Sequence, residues 1–115
     1  MRTVEEVFAH HAKALNEANL DEVAYDYTEH ALFITKDDGV VRGREAIKKW
    51  FEAVLTGPLV GAQFEATTLI IEGDILYLEW KAEGTTHFAS GVDTFVIHDD
   101  RIHAQTVKVL SLAPK

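Results

Sequence analysis

The sequence predicts a single α+β domain in which helices come first and a curved antiparallel sheet follows. Apolar residues recur at helical spacing in the first half of the chain, and they alternate with polar residues in the second half. Tight polar turns separate the alternating segments. Helical and strand patterns that occupy separate halves are typical of the α+β class. With 115 residues and no visible repeat or linker, residues 1–115 are predicted to form one domain.

The first helix is predicted from a cap and an apolar period. Thr3 and Glu6 have the spacing of a capping box, and apolar residues then recur every three or four positions to about Ala18. This period places His11 on the inward face of the helix. The neighbouring His10 lies one position further round, so we expect it to be exposed.

Two further helices and a strand pair are predicted before residue 60. A short second helix begins after Asn19 and carries Tyr27 on its apolar side. Residues 31–41 predict two short strands joined at an Asp-Gly turn. Residues 44–55 then predict a third helix, because its apolar residues, including Trp50, form one face.

The rest of the chain predicts four strands. They cover residues 62–71, 75–83, 87–98 and 102–112, and polar turns separate them. Because side chains alternate between the two faces of a strand, each strand divides into two sets. The less charged set contains Leu76, Leu78, Trp80, Asp93, Phe95, Gln105 and Val107.

Composition excludes several classes of function. The formal net charge is −8, and no cluster of Lys and Arg could neutralise phosphates, so we expect no nucleic-acid partner. The chain has no cysteine, which excludes disulfides and thiol catalysis and fits a reducing compartment. We expect a cytoplasmic protein, since neither a signal peptide nor a membrane span is visible.

Asp93 is the first candidate for chemistry. It lies in a β-branched segment that otherwise resembles the inside of a sheet. Burying a carboxylate is costly unless it is paired or used, so Asp93 is either a bonded structural acid or a functional one. His11 leaves a similar choice between a core histidine and a residue of a pocket.

Four segments, taken in order, resemble the nuclear transport factor 2-like superfamily, particularly its SnoaL-like branch. They are Leu20-Asp-Glu-Val with Tyr27-Thr-Glu-His-Ala-Leu-Phe33, Val41-Arg-Gly-Arg-Glu-Ala-Ile47, Leu78-Glu-Trp-Lys-Ala-Glu-Gly84, and Val92-Asp-Thr-Phe with Arg101-Ile102. The resemblance implies a cone in which three N-terminal helices pack on a curved antiparallel sheet around a mostly apolar pocket. It also implies that the other sheet face pairs two subunits.

The resemblance assigns roles to three residues. Ketosteroid isomerases belong to this superfamily, and beside their pattern Asp93 matches the protonated acid that holds an enolate oxygen. Tyr27 matches a supporting pocket tyrosine, and His11 falls where that family carries its oxyanion-hole tyrosine. The superfamily also includes polyketide cyclases, dehydratases, epoxide hydrolases and non-catalytic binders, so the fold does not select the reaction.

The sequence matches the ketosteroid isomerase site only in part. Thr35 occupies the position of that family's proton-shuttling aspartate, and a hydroxyl group cannot act as that base near neutral pH. Asp37 and Asp38 lie close enough in sequence to leave their access to the pocket open. A steroid isomerase that copies the family mechanism is therefore disfavoured.

Two arrangements of Asp93 and His11 remain open. Within hydrogen-bond distance they would form an acid–base couple, whereas an isolated buried Asp93 would have a raised pKa. We expect Asp93 and His11 to be catalytic, without a cofactor or a metal ion, because no phosphate loop and no spacing of metal ligands is visible. The expected ligand contacts are Tyr27, Trp50, Leu76, Leu78, Trp80, Phe95, Gln105 and Val107.

The predicted function is the binding of an apolar, oxygen-bearing small molecule, with cofactor-free isomerisation, cyclisation or dehydration as the reaction. The first alternative is a non-catalytic carrier or sensor, which the missing base at Thr35 favours. The second alternative is a dimeric interaction module. In each case we expect a homodimer through the open sheet face, which would contain Ile75, Tyr77, Val92, Thr94 and Val96.

Overall fold

The computed structural model describes residues 1–115 and confirms the α+β class. The helices are α1 (Val4–Asn16), α2 (Leu20–Tyr25) and α3 (Arg44–Thr56). The strands are β1 (Tyr27–Thr35), β2 (Gly39–Arg42), β3 (Gln63–Glu72), β4 (Ile75–Glu83), β5 (His87–His98) and β6 (Arg101–Pro114). None of the helices is long and apolar enough to cross a membrane.

The caps of α1 explain where this helix begins and ends. The Thr3 hydroxyl accepts a hydrogen bond from the Glu6 amide at 3.1 Å, and the Glu6 carboxylate accepts one from the Thr3 amide at 2.9 Å. This is the predicted capping box. The helix ends at Asn16, two residues earlier than predicted, because Ala18 has a left-handed φ of 52°.

All six strands form one sheet in the order β2-β1-β6-β5-β4-β3. The prediction of an antiparallel sheet was wrong at one place, since β1 and β6 pair in parallel. The physical reason is the crossover through α3, which returns the chain so that β3 runs in the direction of β2. Three hairpin reversals then leave β6 parallel to β1.

Tyr27 corrects the predicted end of the second helix. It is the first residue of β1, whereas the sequence pattern placed it on the apolar side of α2. The helix stops at Tyr25, and the backbone oxygen of the next residue, Asp26, accepts a hydrogen bond from the Ile102 amide at 2.7 Å. Pairing with the distant strand β6 therefore ends α2, and a local pattern carries no information about that partner.

The inward sheet face carries the predicted set of side chains. Leu78 of β4 is opposite Asp93 of β5, which is opposite Val107 of β6. All three are buried, and α1 contributes buried residues to the same core. The acid therefore lies on the middle strand of three, at the centre of the face that the helices cover.

Gly91 allows a close approach between β5 and the Trp80 indole. A Cβ at this position would lie 2.7 Å from Trp80 Cε2 and 2.8 Å from the Lys108 backbone oxygen. We expect Gly91→Ala to lower the free energy of unfolding by about 1–3 kcal/mol, because the indole must move. Urea denaturation measures the change.

A matched control uses a glycine without close neighbours. Gly39 has a left-handed φ of 67°, and no atom lies within 4 Å of the position of its missing Cβ. Gly39→Asn should lose little stability, because Asn adopts left-handed conformations readily. If Gly91→Ala were as stable as this control, the close packing between Gly91 and Trp80 would not constrain the fold.

Candidate functional site

A cavity of about 190 Å³ lies between the helices and the inward face of the sheet. Of its 21 lining residues, 16 are hydrophobic, which makes the walls mostly apolar. Six of these residues carry large aromatic rings. They are Phe8, Trp50, Phe51, Phe64, Trp80 and Phe95.

Most of the predicted site residues line this cavity. Those that do are His11, Trp50, Leu78, Trp80, Asp93, Phe95, Gln105 and Val107. Tyr27 and Leu76 do not line it, although the sequence placed both among the ligand contacts. Both are fully buried in the core. Alternation identifies a shared face, but it does not tell which residues of that face are covered by neighbouring side chains.

Asp93 is held by one residue on each neighbouring strand. Trp80 Nε1 on β4 donates a hydrogen bond to Asp93 Oδ1 at 2.9 Å, and Gln105 Nε2 on β6 donates one to Oδ2 at 3.0 Å. Each carboxylate oxygen can accept a further hydrogen bond, since an ionised carboxyl group offers about four acceptor sites. The arrangement fixes the carboxylate and leaves it able to accept a hydrogen bond from a ligand.

Burial raises the pKa of Asp93 to about 6, whereas the two hydrogen bonds from Trp80 and Gln105 act to lower it. Burial is the larger effect, because removing a carboxylate from water disfavours its charged form. With this pKa, Asp93 titrates much closer to neutral pH than an ordinary aspartate does. The residue is therefore able both to accept and to return a proton near neutral pH.

Tyr27 acts behind the cavity wall through Gln105. Its hydroxyl donates a hydrogen bond to Gln105 Oε1, which turns the amide group so that Nε2 faces Asp93. Burial, with Asp93 and Asp26 nearby, raises the pKa of Tyr27 well above its usual value, so its hydroxyl keeps its proton. Tyr27 is thus a support for Asp93 and does not itself contact the cavity.

His11 and Asp93 are not hydrogen-bonded to each other, which settles the alternative that the sequence left open. His11 Nε2 lies 3.4 Å from the Tyr27 hydroxyl, and Nδ1 lies 3.4 Å from Asp26 Oδ2. The ring packs edge-on against Tyr27, Phe51 and Phe95. His11 on the helical wall and Asp93 on the sheet are therefore separate polar groups of the cavity lining.

Asp26 is a buried acid beside His11 that the sequence interpretation missed, and it does not line the cavity. It is fully buried, and Arg2 Nη1 and His10 Nδ1 each lie 2.8 Å from its Oδ1 atom. Burial acts to raise its pKa, but the contacts with His11, Arg2 and His10 outweigh this and hold the pKa below its usual value. The sequence contained one indication of this buried acid, because Asp26 lies directly before Tyr27 and after an apolar helical segment.

The contact with Asp26 also corrects the prediction for His10. Its side chain is 31% exposed, because its two ring nitrogens contact Asp26 and Glu22. A helical period predicts the direction of a side chain, but it does not predict an acid that arrives from another segment.

The turn after β1 supplies no second acid to the cavity. Thr35 Oγ1 donates to Asp38 Oδ2 at 3.2 Å, and Trp50 Nε1 donates to the same oxygen at 2.8 Å. Neither Asp37 nor Asp38 lines the cavity, and both are exposed. No group of three or more His, Asp or Glu residues is arranged to hold a metal ion.

Glu65 is the second carboxylate at the cavity, and it lies in a different environment. Its side chain is 68% exposed, and its Oε2 atom lies 3.5 Å from Lys81 Nζ. An exposed pair of this kind is solvated and contributes little energy. Asp93 is therefore the buried carboxyl group of the cavity.

Comparisons with known proteins agree with this architecture. The family model described as SnoaL-like domain matches residues 7–105. No curated protein sequence matches the chain.

Solved structures of the same fold share little sequence with the chain. The epoxide hydrolase/cyclase-like enzyme SalBIII, with a role in pyran ring formation in the polyether salinomycin, has a TM-score of 0.84 at 21% identity, covering 97% of this chain and 95% of its own. A proposed ketosteroid isomerase from Kribbella flavida has a TM-score of 0.80 at 15% identity, covering 94% and 78%. An NTF2-like protein of unknown function from Cytophaga hutchinsonii has a TM-score of 0.79 at 15% identity, covering 95% and 91%. At these identities the likeness shows the fold.

The raised pKa of Asp93 predicts how stability depends on pH. Between about pH 4 and pH 6 the folded protein holds a proton on Asp93 that the unfolded chain has released, so stability falls as the pH rises through this window. The Asp93→Asn variant has no carboxyl group at this position, so its stability does not fall for this reason as the pH rises. We expect the wild type to lose up to about 3 kcal/mol relative to the variant from about pH 4 to pH 7.

Urea denaturation of both proteins across this pH range measures the difference. Asp26 and Asp100, whose pKa values are lowered, titrate in the opposite direction, but they are present in both proteins and cancel. Parallel pH profiles for the wild type and Asp93→Asn would show that Asp93 has an ordinary pKa.

Proposed function

The chain belongs to the SnoaL-like domain family, and from this premise we propose that it binds a small, neutral, oxygen-bearing molecule and moves a proton on it without a cofactor. The observation that carries the proposal is the buried Asp93 carboxylate, held between Trp80 and Gln105 on the wall of an apolar cavity. Isomerisation, cyclisation and dehydration all need such a group.

The volume of the cavity limits the size of the ligand. An engineered cavity of roughly 150 Å³ with apolar walls holds a benzene molecule. The cavity of this protein, at about 190 Å³, is slightly larger. It therefore fits one ring, or a short branched chain, and a four-ring steroid would have to extend through the opening. This size supports a ligand much smaller than a steroid.

The charges around the cavity favour a neutral ligand. No Lys or Arg residue lines it, and its carboxylates are Asp93 and the exposed Glu65. A phosphate or carboxylate group on a ligand would be desolvated among apolar side chains without a cation to pair with. The ligand would place its oxygen toward Asp93 and its hydrocarbon part against the aromatic walls.

The proposed chemistry requires a proton transfer in each direction. The Asp93 carboxylate accepts a proton from carbon next to a carbonyl group. The electron pair of the broken C–H bond forms a carbon–carbon double bond, and the π pair of the carbonyl group moves to its oxygen. The protonated Asp93 then returns the proton to the same or another carbon of the ligand. A pKa of about 6 allows both steps near neutral pH.

A non-catalytic carrier is the second candidate. The observation that favours it is the placement of Asp37 and Asp38 outside the cavity, which leaves Asp93 without a second buried carboxyl group. A carrier would keep the same ligand class and hold its oxygen near Asp93. It would show binding without proton exchange.

Pairing of two subunits is a further part of the proposal. The sheet face away from the helices includes Ile75, which is 48% exposed, and Ile70, which is 58% exposed and lies opposite Tyr77 of β4. Exposed apolar side chains on one sheet face are typical of contact surfaces between proteins. We propose that a second copy of the chain covers this face.

Hydrogen–deuterium exchange on a simple ketone tests the proton transfer. The protein is incubated in D₂O with 2-tetralone or cyclohexanone, and NMR follows the loss of protons next to the carbonyl group. We expect the wild type to accelerate exchange, and Asp93→Asn to reduce the acceleration by about 10²–10⁴ because the base is lost. Asp37→Asn, which removes an exposed acid, is the matched control and should exchange at the wild-type rate.

The same samples separate the two candidate functions. A carrier would quench tryptophan fluorescence on binding 2-tetralone but leave its exchange rate unchanged in every protein. If Asp93→Asn exchanged as fast as the wild type, Asp93 would not be the base.

A charge placed on the open sheet face tests the pairing of subunits. Tyr77 lies on this face, and Tyr77→Lys would bring a like charge from each subunit into the interface. We expect sedimentation analysis to show a dimer for the wild type and a monomer for the variant. Asp93→Asn should remain dimeric, and a wild-type monomer at all concentrations would reject the pairing.

A further inference from the structure

The cavity opens to solvent beside the C-terminal part of β6. Val109 and Leu112 both line the cavity, yet they are 44% and 49% exposed. Pro58, in the loop after α3, also lines the cavity and is exposed. A side chain that lines a cavity and is half exposed lies where that cavity meets solvent, so these three residues mark the opening.

A bulge in β6 turns Leu112 toward the cavity. The pairing of β5 with β6 shifts its register between Ser90 and Gly91, and Leu110 is the extra residue without a partner. In a regular strand Val109 and Leu112 would lie on opposite faces, because they are three positions apart. The extra residue shifts the alternation by one, so both side chains lie on the inward face.

The same stretch of β6 extends beyond its neighbour β1. The pairing of β1 with β6 ends at Thr35 and Val107, so residues 108–114 lie past the end of β1. The backbone of this extension pairs with β5 on its other side. The missing neighbour explains why Val109 and Leu112 stay half exposed although they face inward.

The side chains at the opening favour hydrocarbon over charged groups. Besides Asp93, the acidic residue of the cavity lining is Glu65, and its carboxylate lies 3.5 Å from Lys81 Nζ. The three residues that mark the opening offer only apolar side chains. Burying a charged group against them would be costly, because no partner of opposite charge is present. The part of a ligand that passes through the opening is therefore expected to be hydrocarbon.

The path from Asp93 to the opening sets the length of such a ligand. Leu112 is opposite Ala89, which lies four positions before Asp93 on β5. At about 3.3 Å per residue, the two ends of the path are about 13 Å apart along the sheet. An extended chain advances roughly 1.2 Å per bond, so a ligand needs about ten bonds from its oxygen to reach Leu112.

We infer that the ligand has two parts, a ring with a carbonyl group beside Asp93 and an unbranched hydrocarbon tail that leaves the cavity along Val109 and Leu112. The ring fits the cavity of about 190 Å³, and the tail covers the apolar side chains at the opening. The inference rests on the proposed function for the oxygen at Asp93. The contact with the tail is measured by binding and needs no turnover.

A series of 4-alkylcyclohexanones tests the contact with the tail. NMR titration of the Trp50 and Trp80 indole signals, which report from the cavity wall, gives Kd for cyclohexanone and its 4-ethyl, 4-butyl and 4-hexyl derivatives. Full burial of one methylene group lowers Kd about fourfold, and half-exposed walls provide roughly half of that free energy. We therefore expect Kd to fall about twofold per methylene group, or about 16-fold from the ethyl to the hexyl derivative.

Two leucines of β6 provide a variant and its matched control. Leu112→Asn replaces an apolar wall of the opening, so we expect the ratio of the ethyl to the hexyl Kd to fall below about fourfold. Leu110→Asn changes an exposed leucine that does not line the cavity, and it should keep the wild-type ratio. Each ratio is taken within one protein, so an effect on ring binding cancels. Equal ratios in the two variants would reject the contact.

The outcomes separate this inference from the proposed function. If cyclohexanone exchanges its protons but Kd does not change with tail length in the wild type, the ring site stands and the tail contact is rejected. If Kd falls with tail length and Leu112→Asn removes the fall, but no ketone exchanges its protons, the tail contact stands and the protein is a carrier. If none of the four ketones binds, both proposals fail.

Discussion

The structure of the site depends on the burial of one carboxylate in the middle of the sheet. Asp93 is 7% exposed, and its charge would be costly without the donors Trp80 and Gln105 on the two neighbouring strands. These donors require the observed register, and Gly91 makes room for the Trp80 indole. The pKa of about 6 is the balance between burial and the two hydrogen bonds.

In a second buried carboxylate, Asp26, polar contacts affect the pKa more than burial does. Its contacts with Arg2, His10 and His11 outweigh its burial, so its pKa is lowered whereas that of Asp93 is raised. Asp26 joins the N-terminus to the C-terminal end of α2, and Tyr27 continues the connection to Gln105 and Asp93. The two acids have different environments, which is how one fold can hold an ionised support and a group that exchanges protons.

Much of the fold could be predicted from the sequence. The bounds of β4 and β5 and the start of α3 agree with the patterns, because alternation, helical period and glycine turns are local features. The parallel pairing of β1 with β6 could not be predicted from them, because it follows from the long crossover through α3. The same pairing explains why Tyr27 belongs to a strand and Asp26 ends a helix.

For the site, the local sequence patterns were enough to assign the inward faces. Alternation placed Asp93, Gln105 and Trp80 on one sheet face, and helical period turned His11 inward. The packing of distant segments sets which atoms meet. It covers Leu76 and Tyr27, and it brings Asp26 to His11. The reason is that a local period fixes the direction of a side chain, whereas hydrogen bonds and burial depend on segments that are distant in sequence.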